Sequence, residues 1–181
     1  MRNFQRLAEG LPVVGLVNTL MRRQDLWDTV KVRTSHEKSP HHNVSDILLR
    51  FNEIRDDISQ VIDDCEAVNY PAWHQLPEAQ EIVLNLMRVV RGERLGRVII
   101  SRLDPGQVIT PHEDAGAPAE YYTRYQVALQ SLPGCIFHCK DEAVNMLSGE
   151  VYWFDNSKTH SVENYSASER IAMIIDIRTP R

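Results

Sequence analysis

The sequence predicts a mainly β fold with N-terminal helices, an α+β arrangement in which a helical front packs on one sheet of a β-sandwich or jelly roll. The first observation is a series of short strand-like runs from Leu95 onward, separated by turn signals at Asp104-Pro105-Gly106, Leu132-Pro133-Gly134, Ser148-Gly149 and Asp155-Asn156-Ser157. The second is the different character of the front, where apolar residues recur at helical spacing. The third is size: 181 residues, 43% hydrophobic and 25% charged, suit one buried core. We read residues 1–181 as a single domain, with 1–94 as a mixed support region and 95–181 as the jelly-roll core.

Leu16–Asp28 is loosely helical, with Leu16, Val17, Leu20 and Trp27 as its apolar positions. Asp28–Arg33 alternates and reads as a strand. A polar loop, SHEKSPHHN, leads to a buried-strand candidate at Ser45–Phe51. Asn52–Asp64 places Ile54, Ile58, Val61 and Ile62 on one helical stripe. Pro71, Trp73 and Pro77 mark a loop. Pro77 then opens a helix with Ile82, Val83, Leu86, Val89 and Val90 along one face, ended by Gly92 or Gly96. The strands expected next are Arg97–Leu103, Tyr121–Gln130, Gly134–Cys139, Ala143–Leu147, Val151–Phe154, His160–Val162 and Arg170–Ile177.

Net charge is −5 and basic residues are scattered, which argues against nucleic acid and anionic membranes as partners. No apolar run approaches the roughly 20 residues that span a bilayer, and the start lacks a signal-peptide pattern, so a cytoplasmic location is expected. Cys65, Cys135 and Cys139 form an odd set. Cys135 and Cys139 share a strand face and His138 takes the other, so buried free thiols are expected rather than a metal site.

Pro111-His112-Glu113-Asp114 carries the first chemical signal. On a strand, His112 and Asp114 face the same way and can chelate one ion, while Glu113 points away. His160, at the start of a later strand, is the candidate third ligand. Two neutral imidazoles and one carboxylate on one face leave adjacent coordination positions open, which suits non-haem Fe(II) oxygen chemistry; zinc is compatible with the same ligand types. Arg170 is the second signal. It opens the apolar strand RIAMIID, where a buried charge needs a partner. That partner is either one of the chain's own acids or a bound carboxylate, such as the distal end of a 2-oxo diacid.

The ordered stretches ISRLDPGQVITPH, TRYQVALQSLPGCIFHC and SGEVYWFDNSKTHSVENYSASERIAMIIDIRTP resemble the aspartyl/asparaginyl β-hydroxylase family of Fe(II)/2-oxoglutarate dioxygenases. The resemblance runs from about Arg97 to Pro180. It implies a double-stranded β-helix, the cupin-like jelly roll. It also implies iron ligands at His112 and His160, and Arg170 with Ser101 as the anchor of the 2-oxoglutarate C5 carboxylate. Arg124 matches a family arginine that contacts the cosubstrate, and Gln126 falls where some members carry a histidine near it. Asp114 is a ligand that some members lack.

The implied activity is hydroxylation of an unactivated C–H bond with Fe(II), 2-oxoglutarate and O2. Succinate and CO2 are the co-products, and the substrate is expected to be an amino acid, free or in a peptide. His41, His42 and Arg50 are candidates for holding it; Trp73, His74, Tyr121 and Tyr122 are further pocket candidates. Two rival readings remain at this point: a cupin-like metalloenzyme with the same His/Asp/His site but no 2-oxoglutarate, and a jelly-roll binding module with structural histidines.

Overall fold

The structure, a computed structural model, describes residues 1–35, 39–54 and 64–180. Its strands are β1 (Phe4–Ala8), β2 (Val44–Phe51), β3 (Val68–Asn69), β4 (Arg94–Leu103), β5 (Val108–His112), β6 (Thr123–Gln130), β7 (Cys135–Cys139), β8 (Glu142–Val144), β9 (Val151–Phe154), β10 (His160–Asn164) and β11 (Arg170–Arg178). The α-helices are α1 (Val14–Arg22), α2 (Pro77–Val89) and the short α3 (Ala117–Tyr121). No helix among the described residues is long and apolar enough to cross a membrane.

The strands form a seven-stranded sheet in the order β1-β9-β6-β11-β4-β2-β3 and a four-stranded sheet in the order β5-β10-β7-β8. From β4 onward the chain winds between the two sheets: β4, β6, β9 and β11 lie in the large one, and β5, β7, β8 and β10 in the small one. This is the expected jelly roll of the double-stranded β-helix type.

The large sheet is buried on both faces, for different reasons on each. Its outer face carries Ile47, Leu49, Val98, Ile100, Val127, Leu129, Met173 and Ile175, packed with Leu16 and Leu20 of α1 and Ile82, Val83 and Leu86 of α2. Its inner face meets the small sheet through Leu103, Ala128, Tyr152 and Phe154, against Ile109, Phe137, Cys139 and Val162. Period-two alternation along each strand generates the division. Helix α2 starts at Pro77, where a missing N–H costs nothing, and stops where the Gly92 N–H donates to Met87 O at 2.8 Å.

Several expected boundaries change. Asp28–Arg33 is not a strand. Asp28 adopts φ 56°, its N–H donates to Asp46 O, and a turn follows in which Lys31 O accepts from both Thr34 and Ser35. The alternation in this segment reflects Val30 and Val32 covering Leu48, Phe51, Ile99 and Ile174. The first helix ends at Arg22, followed by a 3-10 turn at Gln24–Leu26. Pro71–Gln75 is also a 3-10 turn rather than an open loop. The strand expected from Tyr121 begins at Thr123, because Ala117–Tyr121 coil into α3. The strand expected at Ala143–Leu147 is the shorter Glu142–Val144. Residues 55–63 of the expected Asn52–Asp64 helix lie outside the described residues. Cys135 and Cys139 are buried free thiols, and His138 faces the other way, toward Glu163.

The turn into β9 depends on Gly149, at φ 85°, where an added Cβ would lie 2.9 Å from the Leu11 carbonyl oxygen. Gly149→Ala is expected to destabilise the protein by about 2 kcal/mol, the cost of a strained left-handed residue. Gly10→Ala has a positive φ but open space around the new Cβ, so it should cost less. Urea unfolding of the two variants beside the wild type measures the difference.

Candidate metal centre

Strands β5 and β10 are antiparallel neighbours, and their register sets His112 directly opposite His160. Each ring is oriented by a carbonyl two residues earlier. His112 Nδ1 lies 2.8 Å from Thr110 O, and His160 Nδ1 lies 2.9 Å from Lys158 O. An Nδ1–H donated to a carbonyl leaves Nε2 with its lone pair free, the form in which imidazole binds a metal.

Asp114 reaches the same point by a different route from the one expected. It lies beyond the end of β5, in the loop before α3, so strand alternation does not aim it. Its backbone N–H donates to Asn156 O at 3.2 Å, and its Oδ2 accepts from Arg124 Nη1 at 2.7 Å. One ligand atom from each of His112, Asp114 and His160 then falls within 4.8 Å of the others. His160 Nε2 is 3.9 Å from Asp114 Oδ2. A two-nitrogen, one-oxygen donor set converging from one side fits a divalent first-row metal with open positions.

The electrostatics keep Asp114 and His160 in ligand form. Burial disfavours the Asp114 carboxylate, but Arg124, His160, an Asn156 hydrogen bond and His112 outweigh it and hold the group below its ordinary range. Burial also pushes His160 down, against a partial pull upward from Asp114.

The centre opens into a cavity of about 270 Å³ between the sheets, also lined by Arg170 of β11. Arg170 is 5% exposed. Its Nη2 donates to Gln126 Oε1 at 2.7 Å, and no acid forms an ion pair with it among the described residues. Burial lowers its pKa, with only the Cys135 thiol acting against that. A buried guanidinium oriented by a neutral amide keeps its full charge available to an incoming anion. Arg124 differs completely: Asp114 and Asp176 both pair with it, and together they raise its pKa in spite of burial.

A family model for aspartyl/asparaginyl β-hydroxylases matches residues 60–180. The chain belongs to that family. It is accordingly an oxygenase of the Fe(II)- and 2-oxoglutarate-dependent class. Solved structures agree on the fold. A Burkholderia pseudomallei oxidoreductase of the 2OG-Fe(II) oxygenase family is 16% identical with a TM-score of 0.61, the match covering 98% of this chain and 84% of that one. A Pseudomonas putida prolyl-4-hydroxylase is 14% identical with a TM-score of 0.54, covering 99% and 94%. A viral collagen prolyl hydroxylase from Paramecium Bursaria Chlorella virus-1 is 13% identical with a TM-score of 0.53, covering 99% and 97%. No curated protein matches the chain.

The other residues singled out in this hydroxylase's sequence separate clearly. Ser101 and Gln126 are buried and line the cavity with Arg124 and Arg170. His41 also lines it. Its ring meets that of His112 edge-on at 4.8 Å, and its Nδ1 is buried without a hydrogen-bond partner among the described residues. His42 is exposed and contacts Ser39 O. Arg50 bonds Ala67 O, Gly96 O and Asn69 on the far side of β2. Neither lines the cavity, nor do Trp73, His74, Tyr121 or Tyr122.

Sequence reading missed Arg33, which lines the cavity and pairs with the buried Asp46 at 2.8 Å. It also missed Asp176. Like Arg170, this acid is a charge inside an apolar strand that needs a partner, a signal present in the sequence.

Burial drives the pKa of both His41 and His160 below the ordinary 6.5. A histidine whose folded pKa is lowered binds its proton more readily unfolded, so stability falls as pH drops below about 6.5. The melting temperature of the metal-free protein should therefore decline from pH 7 to pH 5. The decline should be shallower in His41→Phe and His160→Phe. Calorimetric scans across that range check it.

Proposed function

We propose that this hydroxylase holds iron on His112, Asp114 and His160 and 2-oxoglutarate on Arg170, and hydroxylates a C–H bond of an amino acid, free or peptidyl. Arg170 carries the reading: a buried guanidinium, unmatched by any acid among the described residues, lines the same cavity as the convergent donors. A cupin-like enzyme without 2-oxoglutarate has no use for that charge.

The roles of the chain's own groups follow from their positions. Arg170 anchors the distal carboxylate of the diacid, and Gln126 keeps the guanidinium turned toward it. Ser101, buried on β4, adds a hydroxyl to the same wall. The imidazoles and Asp114 present lone pairs from one side and leave the cavity side open to cosubstrate and oxygen. Phe137 and Phe154 pack edge-on to His160 at 6.0 and 5.1 Å and exclude water behind the ligands. Iron, when bound, supplies oxygen activation coupled to decarboxylation of 2-oxoglutarate to succinate and CO2. Phe51, Ile99 and Ile174 give the cavity an apolar wall against which the substrate's carbon skeleton would lie. The whole of residues 1–181 then works as one catalytic unit, with the front helices as support.

Anaerobic Fe(II) followed by 2-oxoglutarate should give the weak visible charge-transfer band of the chelated complex. His160→Ala should lose the metal. Arg170→Ala should keep the metal yet need about 100-fold more 2-oxoglutarate, roughly the 3 kcal/mol of a lost buried charge pair. Iron bound by the wild type with no band at saturating 2-oxoglutarate would overturn the cosubstrate assignment.

A further inference from the structure

We propose that Arg124 is a positioning residue that fixes the metal ligand Asp114, braced by Asp176, and is not a contact to the cosubstrate. The inference rests on reading His112, Asp114 and His160 as the metal site.

The three donors are not held alike. His112 and His160 are locked by strand pairing and by their Nδ1–H bonds to carbonyls. Asp114 stands in a loop, and strand pairing does not set its side chain. Arg124 supplies what the loop lacks. It lies on β6 in the opposite sheet, directly across from Asp176 on β11. Its Nε and Nη2 donate to the two oxygens of Asp176, each at 2.8 Å. This fork leaves Nη1, which donates to Asp114 Oδ2 at 2.7 Å. Every nitrogen of the guanidinium is thus engaged by an acid. Three side chains make a strut from the large sheet to the ligand loop.

The bidentate half of this strut is what makes the other half directional. A planar guanidinium pinned at two nitrogens by a cross-strand carboxylate has its third nitrogen aimed at a fixed point; an ammonium has no equivalent plane. The ligand carboxylate is therefore in place before metal arrives, as outer partners of metal ligands generally ensure. Arg124 carries one positive charge and Asp114 and Asp176 one negative each. The group thus has one net negative charge, the same as Asp114 alone. Removing Arg124 and Asp176 together changes the aim of Asp114 and leaves the local net charge unaltered.

The test is the double variant Arg124→Met/Asp176→Leu, with Arg124→Lys as a second variant that keeps the charge and loses the fork. Thermal melts establish which variants fold, and the test uses those that do. Affinity for Co(II), and for Fe(II) without oxygen, is measured first; 2-oxoglutarate affinity is then measured at saturating metal. Positioning predicts metal binding about 10- to 100-fold weaker, as for other outer partners of metal ligands, with 2-oxoglutarate affinity nearly unchanged. Unaltered metal affinity with weakened 2-oxoglutarate binding returns Arg124 to the cosubstrate and overturns the proposal, as does no change in either. Failure of the wild type to bind either metal removes the metal-site reading itself, and is told apart by needing no variant.

Discussion

The antiparallel register between β5 and β10 is the constraint on which the site depends. It sets His112 opposite His160, and neighbouring strands lie less than 5 Å apart, so this one long-range pairing brings two imidazoles to a common point. A slip of one residue would turn one ring to the opposite face of the sheet. The aromatic packing of Phe137 and Phe154 around His160 resists such a slip, because it would expose apolar surface as well as misplace a ligand. Chemistry and folding therefore select the same register.

The inner face of the large sheet carries a different burden. Arg124, Gln126, Arg170 and Asp176 project between the sheets from two adjacent strands, where an unmatched charge is expensive. The fold solves the problem unequally. Arg124 and Asp176 neutralise one another across the strand pair, with Asp114 as a third member. Arg170 receives a neutral amide and, among the described residues, no acid. Among the described residues one guanidinium is thus matched by acids and the other is not, the difference on which the proposed roles rest. On the proposal made above, Arg124 serves the ligand loop and Arg170 the cosubstrate.

Much of this was legible in the sequence because it rests on short-range signals. Turn residues after Leu95 announced the succession of strands, and Pro77 announced α2. The His112, His160 and Arg170 positions could be picked out because each breaks a local rule, a polar or charged group beside an apolar run. What could not be read depended on partners distant in the chain. Val30 and Val32 alternate like a strand but only cover residues of β2, β4 and β11, and nothing local distinguishes the two cases. Asp114 looked like a strand residue, yet its position comes from Asn156 and Arg124. The β1 edge strand has too little apolar periodicity to stand out, since only its first residue is fully buried. Arg50 and His42 had the same composition-based claim on the cavity as His41, and only the path of β2 separates them.

The alternation along β11 has a consequence for how such a protein can change. Ile171, Met173, Ile175 and Ile177 belong to the layer beneath the helices, whereas Arg170 and Ile174 face the cavity. Successive residues of one strand thus answer to separate demands, scaffold on one side and ligand on the other. Substitutions at Ile174 or its cavity neighbours Phe51 and Ile99 reshape the cavity wall while the helical layer keeps the sheet intact. The shape of the cavity can then drift at a few inward positions, with thermal robustness inherited from the outward ones.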